Sequence, residues 1–307
     1  MRRAGVPELR LSDYSGGDPG ARDAFSTALM HGLQRYGFII LSEHAVPSAL
    51  IDKAYALSAQ FFAQPEVLKR RYVGGTRGYA PFRTEHAKNQ AVPDLKEFWQ
   101  IGPDASAGRG GLTPNIWPDD QAEFEHTFRA LFDALQDTGR LVLEALTPAL
   151  SQPRDLFDSI LRDRNSVLRL LHYPPVAVDM EAGGARSAAH EDINLLTLLL
   201  APQGPGLELL DRDGCWLPIE TGRNNLIVDS GDMMARMTND VIPATTHRVV
   251  NPLAENVSRY SMPFFMHPDA DVMLRCLPSC AGAGAKYPDI RAGTFLEERL
   301  TAIGLLK

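Results

Sequence analysis

The sequence predicts an α+β fold in which a jelly-roll (double-stranded β-helix) core is flanked by N-terminal helices and a C-terminal helix. Apolar residues recur at helical spacing in much of the first half of the chain and again over 292–306. After residue 165, short apolar or alternating runs are bounded by Gly, Pro, Asn or Asp, which is typical of an antiparallel sandwich or barrel. Helices and strands do not alternate, as a doubly wound fold would require. We expect a mostly helical region over 1–164, packed as one compact unit on a jelly-roll core over 165–307.

Four helices and two short strands are predicted in the first region. In the first helix, Phe25, Leu29 and Leu33 share one face, and Gly37 ends the helix. The Gly- and Pro-rich residues 72–118 predict loops with short strands. The predicted helices cover 21–36, 47–63, 119–149 and 153–161, and the predicted strands are GFIILSEH and LKEFWQIG.

Composition limits the class of protein. The chain has 307 residues, a formal net charge of −7 and a sequence pI of about 5.6, whereas a nucleic-acid binder needs a basic face. No stretch approaches the roughly 20 apolar residues of a membrane span. Three cysteines fit a reducing compartment. We expect a cytoplasmic protein without nucleic-acid or membrane partners, as a monomer or weak homo-oligomer.

Two histidines and one aspartate form a candidate metal site. His190 and Asp192 stand at the mouth of a predicted buried strand, and His247 lies in a later one. Residues i and i+2 of an extended chain project to the same side, so the first pair can reach one ion. Ferrous iron accepts imidazole nitrogen and carboxylate oxygen, and three such ligands leave three coordination positions open. The alternative for the pair alone is a core histidine and an aspartate that caps a turn.

A second His-x-Asp pattern occurs at His267 and Asp269. A proline separates its two members and no histidine follows it in the sequence. We therefore expect no metal at this second pattern.

Arg259 and Ser261 follow the distal histidine, again at i and i+2 of a predicted strand. A guanidinium with a hydroxyl beside it can anchor a carboxylate. The cosubstrate 2-oxoglutarate chelates iron through its 2-oxo acid end and needs a cation for its far carboxylate. On its own, Arg-x-Ser is more often part of a salt-bridged surface strand.

The order of these motifs resembles the iron(II)- and 2-oxoglutarate-dependent oxygenases of the isopenicillin N synthase-like superfamily. The resemblance covers nearly the whole chain. Further segments that look like family motifs are GFIILSEHAVP, RGYAPF, DLKEFWQIG, LHYPP, GDMMARMTNDVIPATTHRVVNP and SRYSMPFF.

The resemblance implies roles for particular residues. By position, the metal ligands are His190, Asp192 and His247, and the 2-oxoglutarate residues are Arg259, Ser261 and Tyr173. Where the family has NYYPP, this chain has Leu171 and His172 in place of the first two residues. The contact of the family's asparagine therefore does not carry over to this chain, and His172 is expected to be a core or supporting group.

The resemblance also implies an activity. We expect a dioxygenase that oxidises, most often by hydroxylation, a C–H bond of a small-molecule substrate and releases succinate and carbon dioxide. Its cofactors would be Fe²⁺, 2-oxoglutarate and O₂, with ascorbate as an additional reductant. Alanine-, arginine- and leucine-rich composition suggests specialised metabolism by association only.

Substrate contacts are predicted from strand and loop positions. The candidates are Phe265, Arg77, Tyr79, Phe82, Glu97 and Trp99, together with Arg83 in the same loop. The last helix, with Phe295, Leu296, Leu300 and Ile303, could act as a lid, although a docked terminal helix needs the same apolar face.

Three alternatives remain open from the sequence. An iron oxidase of the same fold could perform cyclisation or desaturation without 2-oxoglutarate. A jelly-roll binding protein could have lost catalysis. A zinc hydrolase could use the same three ligands, but it would leave Arg259 and Ser261 without a role and has no obvious general base.

Overall fold

The computed structural model describes residues 5–85, 92–103, 114–163, 165–176, 184–252 and 256–302. Its helices are α1 Leu11–Ser15, α2 Pro19–Tyr36, α3 Ser48–Phe62, α4 Glu66–Lys69, α5 Phe124–Leu146, α6 Leu156–Ile160, α7 Asp232–Met237 and α8 Ala292–Ala302. Its strands are β1 Glu8–Arg10, β2 Phe38–Ser42, β3 Val73–Gly74, β4 Arg77–Ala80, β5 Glu97–Ile101, β6 Val167–Tyr173, β7 Ser187–His190, β8 Leu196–Gln203, β9 Leu207–Leu210, β10 Trp216–Pro218, β11 Leu226–Ser230, β12 His247–Val249, β13 Arg259–Met266, β14 Met273–Leu274 and β15 Ile290–Arg291.

Two sheets form the jelly-roll core, which confirms the predicted fold class. In the described residues, the large sheet has nine strands in the order β1-β2-β11-β8-β13-β6-β5-β4-β3, and the small sheet has four in the order β10-β9-β12-β7. Neighbouring strands are antiparallel except for β1 and β2. Strands from both predicted regions pair within the large sheet, for example β5 with β6. The boundary at residue 164 stays a prediction.

Apolar side chains form two layers, one on each face of the large sheet. The inner layer lies between the two sheets and includes Phe38, Phe98, Leu171, Tyr173, Leu199, Leu207, Leu209, Ile227 and Val249. The outer layer lies between the large sheet and the helices. Because side chains alternate along a strand, neighbouring residues of β5 or β6 belong to different layers.

The helix α5 covers the outer face of the large sheet. Its buried residues, among them Phe128, Leu131 and Leu135, recur at helical spacing. Gly139 lies against β13, where an added Cβ would be 2.1 Å from the Sδ atom of Met266. The absence of a side chain there lets the helix approach the sheet.

Most long elements lie where the sequence predicts them. The helices predicted over 21–36, 47–63, 119–149 and 153–161 correspond to α2, α3, α5 and α6. The last helix is α8, and the part of its predicted span from 303, including Ile303, lies outside the described residues. Within the described part of the chain, no helix is long and apolar enough to cross a membrane.

Candidate metal and cosubstrate site

The two histidines and the aspartate converge at one end of the small sheet. His190 ends β7, and His247, which begins β12, is its direct partner in the antiparallel ladder. The Nε2 atoms of both histidines lie 3.8 Å from Oδ1 of Asp192. One ligand atom from each of the three residues falls within 4.8 Å of the other two. Two imidazoles and a carboxylate at this spacing fit a ferrous ion.

Hydrogen bonds orient the three side chains. Nδ1 of His190 lies 2.8 Å from the carbonyl oxygen of Ala188, and Nδ1 of His247 lies 3.1 Å from that of Thr245. A carbonyl only accepts, so each Nδ1 carries the proton and each Nε2 lone pair faces the centre. The hydroxyl of Thr197 donates to Oδ2 of Asp192, which leaves Oδ1 for a metal.

The chain behind Asp192 is held by the start of α7. The amide of Asp232 donates to the Asp192 carbonyl at 2.7 Å. A Cβ on Gly231 would lie 2.4 Å from the carbonyl oxygen of Asn194 and 2.7 Å from that of Asp192. Only glycine therefore allows the two segments to pack at this distance.

Burial controls the charges around the site. It acts together with the neighbouring His190 to lower the pKa of His247 to about 4, so the ring is neutral, as ligation requires. Burial and the nearby Asp192 carboxylate raise the pKa of Asp229 well above its ordinary value. A cation near these two carboxylates would offset their repulsion.

Arg259 is a buried cation without a counter-ion in the described part of the chain. Its side chain is 1% exposed, and none of its three guanidinium nitrogens has a hydrogen-bond partner among the described residues. Burial lowers the pKa of Arg259. An unpaired buried guanidinium is costly, so this position fits an anionic ligand. Ser261 lies two residues further along β13 on the same face, and Tyr173 pairs directly with Arg259 in the ladder.

Comparison with known proteins agrees with this geometry. A model described as the non-haem dioxygenase in morphine synthesis N-terminal domain matches residues 6–120, and the 2OG-Fe(II) oxygenase superfamily model matches residues 164–268. The curated 2-oxoglutarate-Fe(II) type oxidoreductase hxnY of Emericella nidulans is 31% identical, over 94% of this chain and 88% of its own. The chain belongs to the 2OG-Fe(II) oxygenase superfamily.

Solved structures of superfamily members have the same fold. A putative 2OG-Fe(II) oxygenase family protein from Caulobacter crescentus is 41% identical with a TM-score of 0.87, over 98% of this chain and 99% of that one. A full-length Neurospora crassa protein, solved in complex with alpha-KG, is 28% identical with a TM-score of 0.88, over 98% of each chain. The protein is thus a 2-oxoglutarate-dependent dioxygenase that uses Fe²⁺, which confirms the predicted enzyme class and these cofactors. A binding protein without catalysis and a zinc hydrolase are not supported.

Superfamily members act on small molecules. On the inner face of the large sheet of this chain, Phe98, Arg169 and Phe265 lie together, and we call this group the wall. Phe265 lies on the same face of β13 as Arg259, as expected. The guanidinium carbon of Arg169 lies 4.3 Å from the ring centre of Phe98 and 5.5 Å from that of Phe265. Sequence reasoning missed Arg169 and Phe98, although the two-residue alternation from Tyr173 and Leu171 along β6 leads to Arg169.

Three predicted substrate contacts lie on the opposite face of the sheet. Tyr79 and Trp99 pack in the outer layer against Phe61 of α3, at ring distances of 5.8 and 4.8 Å. Glu97 is 4% exposed and bonded within the same layer. These three side chains therefore face the helices, because side chains alternate along a strand and each of the three is next to a residue of the inner layer, Ala80 or Phe98.

The remaining predicted contacts stay predictions. Arg77 packs against Gly102, where an added Cβ would lie 2.1 Å from its Nη2 atom, and donates to the carbonyl of Thr76 at 2.8 Å. Phe82 follows β4 in a turn and is 37% exposed. Arg83 lies in the same turn, with a positive φ of 63°.

Three buried charges, those of Glu85, Asp94 and Lys96, surround the partly buried Arg169 of this wall. Both oxygens of Glu85 accept from Nη1 of Arg169 at 3.0 Å. Lys96 lies 2.8 Å from Glu85 and 2.8 Å from Asp94. The other oxygen of Asp94 accepts the amide of Ala188 at 3.0 Å, next to the strand end that carries His190. The cluster therefore links the wall to the metal-binding strand.

Glu85→Gln should lower the free energy of unfolding by about 3 kcal/mol at pH 7, because it removes the negative charge shared by buried Lys96 and partly buried Arg169. Burial would raise the pKa of Glu85, but Arg169 and Lys96 hold it well below its ordinary range. A carboxyl group whose pKa is lower in the folded than in the unfolded protein stabilises the fold at pH values above its unfolded pKa of about 4.3. This stabilisation is lost as the pH falls toward the folded pKa. The difference between wild type and variant should therefore narrow below about pH 4.

Denaturant unfolding at pH 7 and at acidic pH measures this difference. Glu123→Gln, which removes an exposed partner of Lys53, serves as the control and should leave stability unchanged. Equal stability of Glu85→Gln and wild type at pH 7 would contradict the expectation.

Proposed function

We propose that His190, Asp192 and His247 bind one ferrous ion, and that Arg259 binds the far carboxylate of 2-oxoglutarate beside it. The observation that carries this proposal is the buried guanidinium of Arg259, whose three nitrogens lack partners among the described residues. An iron oxidase that did not use 2-oxoglutarate would leave this cation buried without compensation. The convergence of the three ligand atoms supports the metal assignment.

Ser261 and Tyr173 complete the cosubstrate pocket in this proposal. Both are buried on the inner face beside Arg259. Burial raises the pKa of Tyr173, so its hydroxyl stays protonated and can donate a hydrogen bond. A fork from Arg259 and two hydroxyl donors would fix the position of a carboxylate at one end of the ligand. The opposite end of the ligand would then meet the metal.

The bound ferrous ion and 2-oxoglutarate supply the oxidising chemistry, with succinate and carbon dioxide as by-products. The chain holds the two ligands in register and excludes water with the apolar inner layer around Leu171, Leu209 and Val249. We infer that hydroxylation is the outcome and that the substrate C–H bond is placed by the wall of Phe98, Arg169 and Phe265.

The wall favours an uncharged substrate. Arg169 is paired with Glu85, and Lys96 with Asp94, so these four charges cancel. The ring of Phe265 adds an apolar face. Thymine, present in one solved complex of the Neurospora crassa relative, is an uncharged molecule of suitable size and a reasonable first probe. The cytoplasmic location, the use of ascorbate and the monomeric or weakly associated state stay predictions.

The test is an aerobic assay of the iron-loaded protein with 2-oxoglutarate, in which succinate is measured with and without thymine. Succinate should form only with both iron and 2-oxoglutarate, and slow turnover without substrate is sufficient for the assignment. Incorporation of one oxygen atom from ¹⁸O₂ into the organic product would identify hydroxylation. Absence of iron-dependent succinate formation would refute the proposal.

A further inference from the structure

On the outer face of the large sheet, a chain of hydrogen bonds runs through Glu97, His172 and Ser258. Nδ1 of His172 lies 2.7 Å from Oε1 of Glu97, and Nε2 lies 3.1 Å from the hydroxyl oxygen of Ser258. Glu97 is 4% exposed and His172 is 7% exposed. None of the three lies on the inner face of the large sheet with Arg259 and Tyr173, so the chemistry proposed above does not use them.

Glu97 forms the fixed end of this chain. Lys69 donates to its Oε2 atom at 2.6 Å, and the hydroxyl of Tyr79 donates to the same atom. Burial would raise the pKa of Glu97, yet hydrogen bonds from His172, Lys69 and Tyr79 hold it below its ordinary value. An ionised carboxylate only accepts, so Nδ1 of His172 donates to Glu97, and Nε2 is left to form the hydrogen bond with the Ser258 hydroxyl.

Aromatic stacking fixes the plane of the His172 ring. The ring of Tyr260 lies almost parallel to it at 4.8 Å, with an angle of 13°, and Phe62 stacks at 5.3 Å. Because the ring cannot turn without losing these contacts, its Nε2 atom stays directed at the hydroxyl of Ser258. The position of Ser258 is thereby tied to the buried carboxylate of Glu97.

The two ends of this chain flank the cosubstrate residues. His172 precedes Tyr173 on β6, and Ser258 precedes Arg259, the first residue of β13. In the ladder, Arg259 pairs with Tyr173 and Tyr260 pairs with His172. Arg259 thus lies at a strand end, where ladders open most easily. A binding guanidinium must nevertheless stay within about 0.5 Å of its productive position.

We propose that Glu97, His172 and Ser258 form a clamp that positions Arg259 and Tyr173 for 2-oxoglutarate. The three are positioning residues, because they contact neither cosubstrate nor metal. This inference rests on the proposed function, since it assigns the clamp to that cosubstrate site. It also gives a role to His172, one of the two residues at which the chain departs from the NYYPP pattern.

Two variants test the clamp in the full-length protein. Ser258→Ala removes the last hydrogen bond, and His172→Phe keeps a ring between Tyr260 and Phe62 but removes both hydrogen bonds. Ser258→Ala should raise the dissociation constant of 2-oxoglutarate about fivefold, the size expected for one net hydrogen bond, and His172→Phe should raise it at least as much. The measurement is an anaerobic titration that follows the visible charge-transfer band of the ferrous protein. Ser258→Thr should restore wild-type affinity, and the affinity for ferrous ion alone should not change.

Hydrogen exchange in the cofactor-free protein provides a second measurement. Amides of 258–262 and 171–173 should exchange faster in Ser258→Ala and His172→Phe, while those of β8 should not. Ser159→Ala, which removes an exposed helix hydroxyl, is the matched control and should change neither measurement.

The outcomes separate the two proposals. If the wild type gives no band with 2-oxoglutarate, the proposed function fails, and the exchange data alone then decide whether the clamp holds the strand ends. Unchanged exchange in both variants would overturn the clamp. If both variants bind 2-oxoglutarate as tightly as the wild type, the clamp has no role in cosubstrate binding. The same conclusion follows if their affinity for ferrous ion falls as much as their affinity for 2-oxoglutarate.

Discussion

Arg259→Met should weaken 2-oxoglutarate binding by about 100-fold or more, because the buried charge-assisted hydrogen bonds from this guanidinium to the ligand carboxylate are lost. The affinity for ferrous ion should stay within about twofold, since Arg259 is not among the converging metal-binding side chains. Anaerobic titration of the ferrous protein with 2-oxoglutarate, followed by its visible charge-transfer band, measures the first quantity. Anaerobic calorimetric titration of the cofactor-free protein with ferrous ion measures the second.

The same substitution should stabilise the protein when no cosubstrate is present. Burial of an unpaired guanidinium opposes folding, and methionine fills a similar volume without charge. The thermal midpoint of Arg259→Met should therefore exceed that of the wild type in the absence of 2-oxoglutarate. At 100 times its dissociation constant, the ligand adds about 2.7 kcal/mol to the wild type only, so the order should reverse.

Arg275→Met is the control, because that arginine is exposed and paired with exposed Asp289. It should alter neither ligand affinity nor the order of the midpoints. Tight 2-oxoglutarate binding by Arg259→Met would show that another group neutralises the far carboxylate.

The fold was most predictable where periodicity was long. The 23-residue helix α5 has an unbroken apolar face, and its predicted span of 119–149 contains the observed one. Short elements such as α1, α4 and β1 were not predicted, because three to five residues hold too little periodicity to separate a helix, a strand and a turn. Their existence depends on tertiary packing, as β1 shows by pairing in parallel with β2.

The metal-binding and cosubstrate residues of the candidate site could be predicted from the order of their motifs along the chain. His190, Asp192, His247 and the Arg259 strand follow in a fixed sequence, and the structure brings the three metal-binding side chains together. The cavity wall was less predictable. Glu97 and Trp99 flank Phe98 on β5. Which side chains of this strand face the inner layer depends on which face of the sheet the helices cover.

The cluster around Arg169 shows a further limit of the sequence. Its acidic members, Glu85 and Asp94, lie in a segment that reads as loop, where charged residues are ordinarily solvated. Only the fold reveals that both are buried against Lys96. Charge pairing across separate segments depends on strand order, which no local pattern contains.

Asp192→Ala should abolish ferrous binding at micromolar protein, a loss of more than about 100-fold, since even a residue that only orients a ligand changes affinity by 10- to 100-fold. Anaerobic calorimetric titration with ferrous ion measures the effect. The cofactor-free variant should remain as stable as the wild type or become more stable. Removal of this carboxylate relieves its repulsion with Asp229, whose pKa is raised by burial and by Asp192.

Asp269→Ala is the informative counterpart, because Asp269 belongs to the second His-x-Asp pattern. Its carboxylate accepts the backbone amides of Arg162 and Asp163 at 3.1 and 2.9 Å. Loss of these bonds should lower stability by about 1–3 kcal/mol and leave ferrous affinity unchanged. Asp192→Ala should therefore lose ferrous binding but not stability, whereas Asp269→Ala should lose stability but not ferrous binding. Comparable ferrous binding by wild type and Asp192→Ala would remove this carboxylate from the metal site, whatever the stability of either variant.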